Sequence, residues 1–183
     1  YTTKGRLKKL NRHHEYLLRD AEMYSVFAGV DYPYADLDAA WKQLLTTQFH
    51  DSLPGTHVPA AYLEILDMLS DCETKASGAL DTACTALVGD SAPAQADEGT
   101  PLTLFNSAPR DRTRLVEPPC ALDQAHVLGR DGVEVPSQFS TSFETNERVL
   151  VFHACIPACG YATYRVVAGA GSLAVQDVAM DVD

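Results

Sequence analysis

The spacing of apolar residues changes once along this chain of 183 residues. In the first half they recur every three or four residues, and in the second half they form short runs rich in β-branched and aromatic residues. The first spacing is typical of one face of a helix and the second of strands. We therefore predict an α+β protein in which a three-helix bundle is followed by an antiparallel β meander or a partial β-sandwich.

The helical half contains breakers that divide it into segments, predicted as helices over residues 3–28, 36–49 and 57–88. Helices that each carry one apolar stripe must pack on one another to bury it, which predicts a bundle over residues 1–89. The second helix is expected to run into His50. Asp36 is its expected N-cap, Leu45 lies on its predicted stripe, and Trp41 is expected to be buried between the helices.

Residues 90–100 are small, polar and proline-containing, which is typical of a linker. Residues 101–183 contain five or six short apolar runs separated by turn residues, and we interpret them as a β meander that forms part of a β-sandwich. Aromatic side chains are expected to alternate into its core, namely Phe139, Phe143, Phe152, Tyr161 and Tyr164.

Charge and cysteine content exclude some classes of partner. A formal net charge of −11 opposes binding to nucleic acid, which needs clustered basic residues. No apolar run reaches the roughly 20 residues that span a bilayer, so no membrane partner is expected. Five scattered cysteines favour free thiols in a reducing compartment, and we expect a cytoplasmic location. The sequence leaves the oligomeric state open.

The stretch QFHDSLPG places His50 beside Asp51 just before the Pro54-Gly55 breaker. From the residues alone, His50 could be a metal ligand or a group that compensates the dipole at the helix end. Asp51 could equally cap the turn into the third helix through the amides of Thr56 and His57. His13 and His14 do not form the H-E-x-x-H zinc pattern and are interpreted as packing or surface residues.

Three stretches of the chain resemble glycoside hydrolase family 38 α-mannosidases, in that family's order. WKQLLTTQFHDSLPGTHVPAAYLEI resembles the segment that carries a zinc-ligand histidine. YTTKGRLKKLNRHHEYLLRDAE is similar to the start of the three-helix middle domain, and LFNSAPRDRTRLVE with IPACGYATYRVV resembles the first strands of the C-terminal β region. The FHDSLPG form is similar to the bacterial, vacuolar and cytosolic branch.

The resemblance implies a zinc-dependent retaining α-mannosidase that removes terminal non-reducing α-D-mannose residues from mannosides or oligosaccharides. It implies that His50 is a Zn²⁺ ligand and that Asp51 hydrogen-bonds hydroxyls of the mannose. The nucleophile, the acid/base carboxylate and the other zinc ligands would come from the protein's own N-terminal catalytic domain. No catalytic residue is therefore expected in this chain, which should be inactive alone. The alternative is a free-standing carbohydrate-binding or scaffold module.

Overall fold

Three helices occupy the first half of the chain: α1 (Gly5–Ala28), α2 (Tyr34–Thr47) and α3 (Pro59–Val88). The computed structural model describes residues 3–89, 99–143 and 145–173. Most of the predicted linker, residues 90–98, lies outside these ranges. The chain divides into two compact units, Tyr1–Asp90 and Ser91–Asp183, and each is described by itself below.

The helices of the first unit pack around one apolar core, and each helix contacts the other two. Local signals fix the helix ends. Gly29 takes the left-handed conformation that closes α1, at φ 63°, and Pro59 occupies the first turn of α3, where a missing N–H costs nothing. The buried apolar side chains of this core are Leu7, Leu18, Ala21, Leu37, Ala40, Leu44, Ile65, Leu69, Cys72, Ala76 and Ala79.

Several details of α2 differ from the prediction. The helix begins at Tyr34 after Pro33, so Asp36 lies in its first turn and does not cap it. It ends at Thr47, so His50 lies in the turn that follows and not on the helix. Leu45 is 57% exposed, and Trp41 packs against the core while remaining only partly buried. Trp41 Nε1 instead donates to Glu22 Oε1 at 3.1 Å, which holds the ring at the edge of the core.

The described part of the second unit contains seven strands: β1 (Thr100–Asn106), β2 (Arg112–Val116), β3 (Ala125–Leu128), β4 (Glu134–Val135), β5 (Ser137–Thr141), β6 (Arg148–Ile156) and β7 (Gly160–Ala168). All pairs are antiparallel. The sheets have the orders β1-β7-β3-β4 and β2-β6-β5.

Both sheets contribute side chains to one apolar core, including Val127 from one sheet and Phe152 from the other. The α+β class is confirmed, and this arrangement corresponds to the partial sandwich because strands adjacent in the sequence mostly lie in different sheets. Strand β5 was not predicted, because its residues are mostly polar and form no apolar run. Phe143 and Tyr161 are exposed, so their assignment to the core was wrong.

Among the described residues, no helix combines the length and the apolar character that crossing a membrane requires. The five cysteines are all free, with Cys72 and Cys120 buried and Cys155 and Cys159 exposed.

Candidate functional site

His50 and Asp51 lie in the connection between α2 and α3, within a tight turn that spans residues 48–55. Hydrogen bonds inside the turn fix its backbone. Phe49 O accepts from Ser52 N at 2.9 Å and from Leu53 N at 3.2 Å, and Ser52 O accepts from Gly55 N at 3.1 Å. The turn is therefore organised by its own main chain.

The two side chains point out of the bundle. His50 is 76% exposed and Asp51 is 63% exposed, and His50 Nε2 lies 3.3 Å from Asp51 Oδ2. Phe49 packs beside the imidazole, with the ring centroids 4.1 Å apart. The turn thus presents an imidazole nitrogen and a carboxylate oxygen together at the surface of this unit.

Neither His50 nor Asp51 is itself the cap of a helix. The C-cap of α2 is Gln48, whose backbone N–H donates to Leu45 O and Thr46 O. His50 lies two residues beyond this cap. The N-cap of α3 is Val58, without a side-chain hydrogen bond, so Asp51 does not cap that helix. Asp51 instead accepts from the hydroxyl of Thr56, at 3.3 Å to its carbonyl oxygen and 3.4 Å to Oδ1.

The start of the turn is attached to α1 by Glu15. Its Oε1 accepts from Gln48 Nε2 at 3.1 Å and from Asn11 Nδ2 at 2.9 Å. Its other oxygen, Oε2, accepts from Arg12 Nη1 at 2.5 Å. One carboxylate therefore joins the middle of α1 to the residue that closes α2, two positions before His50.

The end of the turn is attached to the start of α1. Lys8 Nζ donates to Pro54 O at 3.5 Å and to Thr3 O at 2.8 Å. Gly55 has φ 88°, and a Cβ there would lie 2.8 Å from Lys4 Cγ. The position therefore requires glycine both for its backbone conformation and for the close approach of Lys4.

None of these anchoring contacts was predicted. In the sequence, Glu15 and Lys8 are ordinary polar residues of an amphipathic helix. Gln48 is only the first residue of the stretch QFHDSLPG. Pairing residue 15 with residue 48 depends on how α1 and α2 lie against each other, for which the sequence carried no signal that we identified.

His13 and His14 lie elsewhere on α1, as expected for packing and surface positions. His14 is 1% exposed, and its Nδ1 donates to Leu10 O at 2.6 Å. His14 Nε2 is 3.1 Å from Glu73 Oε2 without hydrogen-bond alignment, whereas His13 Nε2 is bonded to both Glu73 oxygens, at 3.0 and 3.2 Å. These contacts tie α1 to α3.

Imidazole nitrogen and carboxylate oxygen are donors that Zn²⁺ accepts, but a zinc site commonly uses three or four protein ligands. Across residues 3–89, 99–143 and 145–173, no group of three or more His, Cys, Asp or Glu side chains is arranged to hold a metal ion. The exposed pair His50 and Asp51 offers at most two such donors, so a zinc site that used it would need further ligands from outside the described residues.

The first unit matches a known family model. Residues 1–87 match the model described as the alpha mannosidase middle domain, and this region contains His50, Asp51 and the anchoring residues of the turn.

Relatives in sequence carry the same family name. The chain is 33% identical over 145 residues to Alpha-mannosidase 2C1 of Mus musculus, covering 75% of this chain and 13% of that protein. It is 32% identical over 125 residues to the human protein of the same name, covering 65% of this chain and 11% of that protein. A Saccharomyces cerevisiae alpha-mannosidase is 31% identical over 88 residues. The chain thus spans a small part of its relatives' length.

Two solved structures share the fold. An alpha-mannosidase from Enterococcus faecalis V583 matches with a TM-score of 0.66 at 18% identity, covering 92% of this chain and 24% of that one. An Enterococcus faecalis protein of glycosyl hydrolase family 38 matches with a TM-score of 0.69 at 18% identity, covering 96% and 26%. Both likenesses extend over helices and strands together.

Proposed function

Because the chain belongs to the glycoside hydrolase family 38 α-mannosidases, with their middle domain over residues 1–87, we propose that it serves as part of a zinc-dependent retaining α-mannosidase. The full-length protein would hydrolyse terminal non-reducing α-D-mannose residues of mannosides or oligosaccharides. The relatives' length supports a multidomain protein, since this chain covers only 13% of the mouse one.

One observation carries the proposal at the level of residues. The turn holds His50 and Asp51 with 76% and 63% of their side chains exposed, inside the region that matches the middle-domain model. The two side chains contact each other, with 3.3 Å between His50 Nε2 and Asp51 Oδ2, and leave most of their surface accessible. The pair faces outward, where a neighbouring catalytic domain and its substrate would meet it.

In this proposal His50 is one ligand of Zn²⁺, and Asp51 accepts hydrogen bonds from hydroxyls of the terminal mannose. When bound, Zn²⁺ supplies positive charge that polarises and orients sugar oxygens. The pair's own contribution is to hold one imidazole nitrogen and one carboxylate in fixed positions. Retaining glycosidases also need two catalytic carboxylates about 5 to 5.5 Å apart, and those would come from the N-terminal catalytic domain.

The test compares the full-length wild-type enzyme with His50→Ala, and uses His153→Ala as a control because His153 is an exposed histidine of the second unit. Zinc per protein and kcat on an aryl α-mannoside are measured for all three. We expect His50→Ala to lose bound zinc and to lower kcat at least about 100-fold, while the control matches the wild type. Unchanged zinc content and turnover in His50→Ala would overturn the assignment.

The isolated chain of 183 residues is expected to show no α-mannosidase activity, since one zinc ligand and one sugar-binding carboxylate do not replace a nucleophile and an acid. Incubation of the purified chain with an aryl α-mannoside and zinc tests this point. Turnover above the buffer blank would show that the catalytic groups lie within this chain.

A second candidate function is carbohydrate binding without catalysis, favoured by the exposure of Tyr161. This ring is 46% exposed and borders a shallow pocket of about 610 Å³ that also contains Arg130 and Asp131. Aromatic and charged groups of this kind suit sugar rings and their hydroxyls. Titration of the chain with α-mannosides, compared with Tyr161→Ala, tests it: weaker binding by the variant supports this function, equal binding by both excludes Tyr161 from the binding site, and no binding by either protein rejects the function.

A further inference from the structure

The turn that carries His50 is attached to α1 at both ends. The attachment at its N-terminal end joins two side chains and therefore depends on the identity of both residues. Gln48 Nε2 donates to Glu15 Oε1 over 3.1 Å, a bond that joins residues 33 positions apart. This bond lies at the end of α2, because Gln48 is the C-cap of the helix. The backbone N–H of Gln48 donates to Leu45 O and Thr46 O.

Glu15 is itself held in place. Asn11 Nδ2 donates to the same carboxylate oxygen at 2.9 Å, and Arg12 Nη1 donates to the other at 2.5 Å. Both donors belong to α1, and Asn11 is only 8% exposed, so the carboxylate has little freedom to follow a moving turn. Glu15 therefore holds Gln48, the first residue of the turn, at a fixed position on α1.

The connection between Gln48 and His50 is short and internally bonded. Phe49 N donates to Thr46 O at 3.3 Å, and Phe49 O accepts from Ser52 N at 2.9 Å, so the backbone on both sides of His50 is constrained. A shift of Gln48 would be transmitted through a single residue to the imidazole. A ligand placed by a rigid scaffold binds its metal with less loss of conformational freedom.

We propose that Glu15 and Gln48 are positioning residues for His50, which keep its imidazole in the direction that zinc binding requires. This inference rests on the proposed role of His50 as a ligand. Neither residue touches the metal or the sugar. Their effect passes through the orientation of the turn, so it appears in the affinity for zinc before it appears in global stability.

The experiment uses the full-length enzyme stripped of metal and titrated with Zn²⁺ against a chromophoric chelator. Glu15→Ala and Gln48→Ala should each weaken zinc binding about 3- to 10-fold, at or below the low end of the roughly 10- to 100-fold effect of direct partners of a ligand. The double alanine variant should lose no more than the larger single loss, within about twofold, because both changes remove one and the same bond.

A reciprocal exchange separates positioning from simple packing. Gln48→Glu alone sets two carboxylates against each other and should bind zinc more weakly than Gln48→Ala. Adding Glu15→Gln restores a donor facing an acceptor, so the exchanged pair should return to within about twofold of the wild type. Asp38→Ala is the matched control, since it removes another partly exposed carboxylate, the partner of Lys42 on α2.

Two results would overturn the inference. One is wild-type zinc affinity in both alanine variants while His50→Ala loses its metal. The other is a combination of three observations. The two single losses of zinc affinity multiply in the double alanine variant, the exchanged pair does not recover its affinity, and the melting temperature of each variant falls in proportion to its loss of affinity. If His50→Ala itself retains zinc, the proposed function fails first and this inference falls with it, so the two failures are distinguishable.

Discussion

The hydroxyl of Tyr164 is bonded to both backbone groups of Cys155: it accepts from the amide at 2.8 Å and donates to the carbonyl at 3.1 Å. Tyr164 lies on β7 and Cys155 on β6, which belong to different sheets of the second unit. One side chain therefore satisfies two polar groups and joins the two sheets, with its ring packed 5.1 Å from that of Phe152.

Replacing Tyr164 with phenylalanine removes this link while keeping the ring. The amide and carbonyl of Cys155 lose their partner near a buried side chain, so we expect Tyr164→Phe to lower the free energy of unfolding by about 1–3 kcal/mol. Chemical denaturation followed by circular dichroism measures it. Tyr161→Phe is the control, because that ring is 46% exposed and its hydroxyl change should cost about 0.5 kcal/mol or less. Equal effects of the two substitutions would contradict the role given to the Tyr164 hydroxyl.

Neighbouring leucines on α2 should differ sharply in their contribution to stability. Leu44 is fully buried and Leu45 is 57% exposed. Leu44→Ala leaves a cavity in the helical core and should cost about 2–5 kcal/mol, whereas Leu45→Ala should cost about 0.5 kcal/mol or less. Urea unfolding monitored through the helical circular dichroism signal compares them. Similar midpoints for the two variants would mean that α2 does not present Leu44 to the core.

The carboxylate of Glu134 should titrate at unusually low pH. Hydrogen bonds from the Ser172 hydroxyl, at 2.5 Å, and from the amides of Leu173 and Ser172 lower its pKa from 4.5 to about 2. Because the folded pKa is depressed, the attachment of residues 172–173 is fully present above pH 4.5 and is lost as the pH falls toward about 2.

Carboxyl-detected NMR titration of Glu134 measures this pKa directly, and the amide shifts of Ser172 and Leu173 should move with it. Ser172→Ala removes the largest cause and should bring the titration midpoint back toward 4.5. A Glu134 carboxyl that titrates at the ordinary value in the wild-type chain would show that these hydrogen bonds are absent in solution.

The cysteines should divide into reactive and unreactive thiols. Cys72 is fully buried, and burial, with nearby Glu73 and Asp71, raises the pKa of its thiol to about 11. Thiolate is the reactive form, so iodoacetamide at about pH 8 should modify exposed Cys155 and Cys159 and leave Cys72 intact until the chain unfolds. Peptide mass spectrometry identifies the modified residues. Modification of Cys72 as fast as Cys155 in the native chain would contradict the packing of α1 and α2 on α3.

Part of the candidate site could be predicted from the sequence. His50 and Asp51 were identified because the stretch that contains them resembles glycoside hydrolase family 38, and the sequence gives the chemical type of both side chains directly. Their exposure and the 3.3 Å between Nε2 and Oδ2 come from the turn's backbone conformation. Their roles in binding zinc and mannose stay predictions that the His50→Ala experiment tests.

The sequence by itself determined most of the element types of this protein, because hydrophobic spacing and breakers such as Pro54-Gly55 act within a few residues of the chain. It did not determine which side of a helix lies deepest, as Leu45 shows, or that polar residues 137–141 pair as a strand against β6. Only the tertiary structure decided that Glu15 meets Gln48 and that Tyr164 reaches Cys155. Each of these contacts joins segments whose relative position is set by the packing of whole elements, and that packing is the sum of many weak interactions that no short motif encodes.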